Sequence, residues 1–248
     1  MAHLYLLGIG PGKPELFTAE VDKCLREVEV IVGYTTYVKL IQAYLPEQNY
    51  WDSGMRDEIE RCRKALELAA AGKEVAMICS GDAGIYGMAG LCYELKEKHN
   101  FSSVELKVLP GITAASSGAA LLGSPLTNDF VVISLSDLLT PWDLIVKRLE
   151  MAAAGDFVTV LYNPGSHKRQ DHLQKAVDIF LEKASPSTVC GICRKIGREG
   201  EEVKLCSLED LREYPADMLT TVFIGNSFTR EIDGKMVTLR GYEKKEEF

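Results

Sequence analysis

The chain has 248 residues, of which 46% are apolar and 26% charged, with a formal net charge of −8. That length holds one large domain or two small ones, with enough chain to bury a real core. A composition near the globular average excludes collagen, coiled coil and general disorder. The negative balance disfavours nucleic acid or an anionic membrane as the main partner, because both need a positive face.

From the N-terminus, Met1-Ala2-His3-Leu4-Tyr5 lacks the basic and long apolar segments of a secretion signal. Residues 3–9 read as a buried strand that ends in Gly8-Ile9-Gly10-Pro11-Gly12. Residues 15–28 read as one helix, with Phe17, Val21, Cys24, Leu25 and Val28 recurring at helical spacing. A short strand follows at 29–32, then a helix over 56–71 that Gly72 ends. A strand at 74–79 runs into a glycine-rich segment and a helix reaching residue 98. Another strand, 104–109, is followed by a small-residue helix at 113–122. The uncharged stretch 108–128 is too rich in Gly, Ser, Thr and Pro for a membrane-spanning helix.

Beyond Gly123-Ser124-Pro125 the chain becomes richer in strands, at 130–135, 157–162, 189–193, 202–206, 219–224 and 236–239. Helices are expected after Thr140, a good N-cap with Pro141 at the first helical position, and over 168–183. Gly197-Arg198-Glu199-Gly200 reads as a hairpin-like turn. The expected fold is α/β with two domains. A parallel sheet with helices on both faces fills 1–120, and a mixed-sheet domain fills 121–248. The seven cysteines are an odd number without a secretion signal, which points to a reducing, cytoplasmic setting.

Four strand-end loops carry the functional signal. Gly8-Ile9-Gly10-Pro11-Gly12 is not a dinucleotide fingerprint, because Lys13 stands where the third glycine belongs. Val32-Gly33-Tyr34-Thr35 also offers no acid for a ribose, and Pro11 removes a backbone donor. In the loop Ser80–Gly90, six of eleven residues are Gly or Ala, so a ligand or a neighbouring backbone approaches closely there. Asp82 suits a hydroxyl, an amine or backbone N–H groups better than a phosphate, and its plain alternative is to cap its own turn. Pro110-Gly111-Ile112-Thr113-Ala114-Ala115-Ser116 and Leu161-Tyr162-Asn163-Pro164 complete the set. Together they lead us to expect one pocket, an active site in the cleft between the two halves.

On these residues the sequence resembles the tetrapyrrole methylase family, over nearly the whole chain. Gly8–Gly12, Ser80-Gly81-Asp82 and Pro110–Ser116 stand in the family's order and spacing. Longer segments resemble the branch that methylates carbon 17 of the precorrin-3 macrocycle and contracts the ring, on the route to cobalamin. They are Val32-Gly33-Tyr34-Thr35-Thr36-Tyr37, Ser53-Gly54-Met55-Arg56, Ile133-Ser134-Leu135-Ser136-Asp137-Leu138-Leu139-Thr140-Pro141-Trp142, and the segments 197–200 and 220–227. The family usually has Pro where this chain has Ala83.

The resemblance implies S-adenosylmethionine as cofactor, bound by Pro11, Ser80, Gly81, Asp82, Ile85, Thr113, Ala114, Tyr162, Asn163 and Gly197. It implies a tetrapyrrole substrate and a homodimer; the charge and composition above lead us to expect no nucleic acid or membrane partner, and no metal is expected. The macrocycle's acetate and propionate groups need local positive charge in an acidic protein. Arg56, Lys168 and Arg198 are the expected substrate residues, with His167, Arg169, Arg194 and Lys195 as further basic candidates. Tyr34 and Asp137 are the expected catalytic residues, beside Tyr37 and His167. Tyr34 stands where some relatives carry a catalytic acid, and Asp137 reads equally as a turn residue before Thr140. Cys190-x-x-Cys193, with Cys206 near, reads as a metal pair or as buried core thiols, the second being favoured. The metal state of the substrate stays open. The alternatives are a sibling methylase acting at another ring carbon, or on RNA, which the acidity disfavours, and a non-catalytic tetrapyrrole carrier.

Overall fold

The structure is a computed structural model and describes residues 2–166 and 169–242. Lys168 and His167, expected near the substrate, lie outside the described residues. Residues up to Ala114 form one compact unit and those from Ala115 a second.

The first unit contains β1 (Ala2–Gly8), a 3₁₀ turn (Pro14–Leu16), α1 (Ala19–Glu27), β2 (Val30–Tyr34), α2 (Thr35–Tyr44) and β3 (Tyr50–Ser53). It continues with α3 (Glu58–Ala70), β4 (Val75–Cys79), α4 (Ala89–Lys98) and β5 (Val104–Leu109). The strands line up β3-β2-β4-β1-β5, every pairing parallel. Side chains alternate between the two faces. Leu4, Leu6, Val32 and Met77 pack with Cys62 and Leu66 of α3 and with Cys92 and Leu95 of α4. Leu7, Ile31 and Ile78 pack with Val21 and Leu25 of α1 and with Val38 and Ile41 of α2. Helices therefore cover both faces, and the inner strands β2 and β4 are buried runs, whereas the edge strands β3 and β5 are only partly buried.

Two element bounds differ from the sequence reading for local reasons. The helix expected over 15–28 is broken at Thr18, which is extended and whose Oγ1 accepts from the Val21 N–H at 3.2 Å. Thr18 thus caps α1 instead of continuing a helix. The helix expected from residue 56 begins at Glu58, because Arg56 has a φ of 72°.

The second unit follows α5 (Ala114–Leu122) with β6 (Gly123–Ser124), β7 (Phe130–Ser134), α6 (Trp142–Ala154), β8 (Val158–Tyr162), α7 (His172–Leu181) and β9 (Val189–Arg194). It ends with β10 (Glu202–Ser207), α8 (Leu208–Leu211), β11 (Thr220–Ile224), β12 (Thr229–Ile232) and β13 (Lys235–Thr238). Its main sheet, β10-β9-β11-β8-β7, is mixed: only β7 and β8 run parallel. A small sheet, β12-β13-β6, stands apart in pairing. One face of the main sheet, with Leu161, Ile192, Val222 and Ile224, buries Ile145 and Leu149 of α6, Val177 and Phe180 of α7 and Leu211 of α8. The other face meets α5. A Cβ on Gly118 would come within 2.8 Å of the Phe223 ring, and one on Gly191 within 2.5 Å of Leu122. The small residues of α5 are thus explained by helix-on-sheet packing.

Two helix starts fall later than expected. Helix α6 begins at Trp142 with Pro141 in the N-cap place and no side-chain cap bond, so Thr140 does not cap it. Helix α7 begins only at His172; before it, Ser166 and Arg169 exchange backbone hydrogen bonds of 3.1 and 3.0 Å. No helix among the described residues is long and apolar enough to cross a membrane.

Candidate cofactor and substrate site

In the first unit, three loops leave the carboxyl ends of the adjacent strands β4, β1 and β5, where parallel sheets present their ligand sites. Gly10 and Gly81 face each other with paired hydrogen bonds, Gly10 N–H to Gly81 O at 3.0 Å and Gly81 N–H to Gly10 O at 2.7 Å. Both glycines have left-handed φ values, 60° and 67°. A Cβ on Gly8 would stand 2.6 Å from Gly111 N, and one on Gly111 would stand 2.2 Å from Gly81 O. The close partner of Gly8 and Gly111 is therefore neighbouring backbone. Asp82 completes the clamp: Oδ1 accepts from the Gly84 N–H at 2.7 Å and Oδ2 from the Gly111 N–H at 3.0 Å. Of the two readings of Asp82, its contacts within the chain are backbone N–H groups.

This clamp brings Pro11, Ser80, Gly81, Asp82, Thr113 and Ala114 onto three touching loops. Pro11 is buried, while Ser80, Gly81, Thr113 and Ala114 are half-buried. A Cβ on Gly81 would lie 3.6 Å from the Thr113 Cα. Ile85 is 42% exposed, an apolar side chain left in water at the edge of these loops.

Tyr34 closes β2, its ring 5.2 Å from Tyr37 in an edge-on pair. Arg61, absent from the expected site residues, lies beneath it. It is 4% exposed, its Cζ is 5.7 Å from the Tyr34 ring centroid, and it donates to Ser53 Oγ at 3.1 Å and to Gly54 O at 2.7 Å. Arg61 thereby fixes both Tyr34 and the segment leading to Arg56, which is itself exposed. A sequence signal existed, since Arg61 sits on the apolar stripe of α3 with Cys62, Ala65, Leu66 and Ala69.

In the second unit, Tyr162 closes β8 and its hydroxyl accepts from the Ala115 N–H at 2.6 Å. Asn163 follows with a φ of 53°, and its Nδ2 donates to Ser134 Oγ at 2.9 Å. Gly197 has a φ of 69°, and its N–H donates to Glu201 Oε2 at 2.6 Å. The turn holding Arg198 joins β9 and β10 as an antiparallel hairpin, as expected. Asp137 lies in the loop before α6, with Arg169 Nη1 3.7 Å and His172 Nε2 3.8 Å from its carboxylate. It does not bond the helix start. Tyr34 and Asp137, the two catalytic candidates, belong to different units.

Cys190 and Cys193 are both buried in β9. Their odd separation on a strand sends the side chains to opposite faces, so the pair does not form one metal site. Cys190 joins the core under α6 and α7, whereas Cys193 Sγ lies 3.5 Å from the Gly118 carbonyl. Burial pushes both thiols above their ordinary range, Cys193 to about 12.

The sequence profile of the Tetrapyrrole (Corrin/Porphyrin) Methylases matches residues 3–212, and the chain belongs to that family. A probable cobalt-factor III C(17)-methyltransferase of Salmonella typhimurium is 47% identical over 239 residues, 96% of this chain and 99% of that protein. A precorrin-3B C(17)-methyltransferase of a Sinorhizobium species is 38% identical over 232 residues, 93% of this chain and 91% of that one. The crystal structure of the methyltransferase CobJ superposes with a TM-score of 0.89 at 35% identity, covering 96% of this chain and all of that one.

Proposed function

We propose that the protein is an S-adenosylmethionine-dependent methyltransferase that methylates carbon 17 of cobalt-factor III, with contraction of the ring, in cobalamin biosynthesis. The observation that supports this most is the 47% identity, over both full chains, to a relative named for that reaction. Precorrin-3B, the metal-free counterpart, is the second reading, favoured by the 38% identical relative.

The three loops of the first unit suit such a donor. Half-buried Ser80 and Thr113 offer polar groups beside bare backbone, and Ile85 offers an apolar face to a nucleoside. In this reading Pro11, Ser80, Gly81, Asp82, Ile85, Thr113 and Ala114 hold the donor, with Tyr162, Asn163 and Gly197 of the second unit. The bound donor supplies a methyl on a sulfonium, already a good electrophile. What the chain must add is placement: holding donor and carbon near contact accounts for about 7–11 kcal/mol of the barrier. The interlocked glycine backbones and the Asp82 clamp serve that end, because they leave the loops little freedom to lose. Arg56, Lys168 and Arg198 meet the carboxylates of the macrocycle, and Tyr34 and Asp137 are the polar groups offered to the ring contraction. The protein acts as a homodimer in the cytoplasm.

The test is incubation with S-adenosylmethionine and, in parallel, cobalt-factor III and precorrin-3B, followed by mass and nuclear magnetic resonance analysis of the product. The expected result is S-adenosylhomocysteine together with a ring-contracted product methylated at carbon 17 from the cobalt form. Methylation at another carbon would replace this reading by a sibling methylase. Binding without turnover of either substrate would make the protein a carrier.

A further inference from the structure

Two segments of the second unit meet in a buried polar cluster that the roles above leave incomplete. Arg169 is only 8% exposed. Its Nη1 donates to Ser136 Oγ at 3.2 Å and stands 3.7 Å from Asp137 Oδ1, beyond hydrogen-bonding distance. Its Nε is fully buried and meets no acceptor among the described residues. His172, 7% exposed, is oriented beside it. Its Nδ1 lies 2.9 Å from the Leu135 carbonyl oxygen, which only a protonated Nδ1 can satisfy, and its ring stacks on Trp142 at 4.2 Å. His172 Nε2 then points towards Asp137 Oδ2 at 3.8 Å. Asp137 thus sits between the Arg169 guanidinium and the His172 ring and is hydrogen-bonded by neither.

A guanidinium keeps its charge and carries five N–H donors, so burying one with an empty Nε is costly. Other arginines of this chain show what Nε normally meets. Arg61, as buried as Arg169, directs it at the Ser53 hydroxyl at 3.1 Å, while Arg26, Arg194 and Arg212 each direct it at a carboxylate, at 3.1, 2.8 and 2.6 Å. The last three are more exposed than Arg169, so their need is smaller. Among the described residues nothing supplies an acceptor to Arg169 Nε, and a carboxylate from outside the chain is the partner such a group takes best. The surrounding backbone is fixed in advance, because Ser134 Oγ accepts from both the Ser136 N–H at 3.2 Å and Asn163 Nδ2 at 2.9 Å.

We infer that Arg169 is the receptor for one peripheral carboxylate of the tetrapyrrole, taken through Nε and its neighbouring amino group. Ser136 positions the guanidinium for it, with the Asp137 carboxylate 3.7 Å away. The inference rests on the tetrapyrrole reading above. The alternative source of a carboxylate is the methionine end of the donor, and the experiment separates the two.

Cobalt-factor III is titrated by absorbance into the wild type, Arg169→Gln and Arg169→Lys, alongside the same macrocycle with its carboxylates converted to amides. S-adenosylhomocysteine binding is measured by calorimetry on each protein. Losing a charge-assisted pair should weaken cobalt-factor III binding to Arg169→Gln about tenfold to hundredfold. Arg169→Lys should recover part of that loss, and S-adenosylhomocysteine binding should stay within about twofold. The amidated macrocycle should bind wild type and variant alike, because the interaction is already absent. Equal losses towards both macrocycles would make Arg169 a structural residue and overturn the inference, as would a loss confined to the nucleoside. The wild type alone also decides, should Arg169→Gln not fold: binding the amide form as tightly as the acid overturns the inference. A wild type that binds neither macrocycle overturns the tetrapyrrole reading itself.

Discussion

The hydroxyl of Tyr162 accepts a hydrogen bond from the backbone N–H of Ala115 at 2.6 Å, tying the end of β8 to the first turn of α5. The first N–H groups of a helix have no partner inside it. Ala115 is 3% exposed, so water does not replace the tyrosine. Tyr162→Phe keeps the ring and removes only the acceptor. It is expected to cost about 1–3 kcal/mol, the penalty of a buried donor left unmade. A urea titration reads this as a lower midpoint at unchanged slope. An unmoved midpoint would mean that the α5 start is satisfied in another way.

The glycines of the first unit differ sharply in what they tolerate. On Gly111 a Cβ would stand 2.2 Å from Gly81 O and 2.3 Å from Gly8 O, all rigid backbone. Gly111→Ala should therefore push the three loops apart, cost upwards of about 3 kcal/mol and abolish nucleoside binding. Gly90, on the open side of α4, has nothing within 4 Å of its would-be Cβ. Gly90→Ala should stabilise by about 0.5 kcal/mol through helix propensity alone. Thermal unfolding of the pair, with calorimetric titration of S-adenosylhomocysteine, checks both signs in one experiment.

Why some of this was legible in the sequence and some was not follows from where the information lies. The strand over 104–109 is where periodicity put it, as β5, and the buried runs of β1 and β4 lie within a residue of expectation. β1 and β4 are mostly apolar runs, while β5 alternates apolar residues with Glu105 and Lys107 before Pro110. Helix α2 and strand β3 escaped notice. Tyr34-Thr35-Thr36-Tyr37 is rich in strand-prone residues, and only the packing of Val38 and Ile41 on the sheet makes the stretch helical. The glycine loops announced close approach but not its partner. That Gly8, Gly81 and Gly111 touch one another is a tertiary fact set by strand order. Arg61 and His172 were readable in principle, as charged or polar residues on the buried stripes of α3 and α7. What they face, Tyr34 in one unit and Asp137 in the other, is set by tertiary packing.

The cysteines make a prediction about alkaline pH. Six are buried and Cys206 is half-buried. Burial, the largest cause for each, pushes Cys79 and Cys206 up to about 11 and Cys24 up to about 12 from the ordinary 9.0. A group whose folded value is raised contributes stability that is complete below its unfolded value and is lost as pH rises through the folded one. The urea midpoint should accordingly hold to about pH 9 and fall between there and about pH 11 to 12. A thiol-reactive dye at pH 8 should label Cys206 first in the folded protein and the other six only with unfolding. Rapid stoichiometric labelling of Cys190 or Cys193 in the native state would contradict their places in β9.

The acid limb has a different origin, at the turn end of the β9–β10 hairpin. Arg194 Nε donates to Asp217 Oδ2 at 2.8 Å, and its Nη1 donates to Glu202 Oε1 at 3.0 Å. Partial burial pushes the Asp217 carboxyl up, but hydrogen bonds from Arg194, the Thr220 hydroxyl and the Leu219 N–H outweigh it and hold the group below its ordinary 3.8. A depressed carboxyl contributes stability that is present above its unfolded value and lost as pH falls through the folded one. The increment should be intact at neutral pH and disappear below about pH 4. Because Asp217 is 41% exposed, water screens the pair and its worth is about 0.2–1 kcal/mol. Arg194→Met should remove that much stability at pH 7 and flatten the matching part of the acid titration. High salt should shrink the difference between the two proteins. Parallel acid limbs for wild type and variant would show that Asp217 draws its stabilisation from Thr220 and the Leu219 backbone alone.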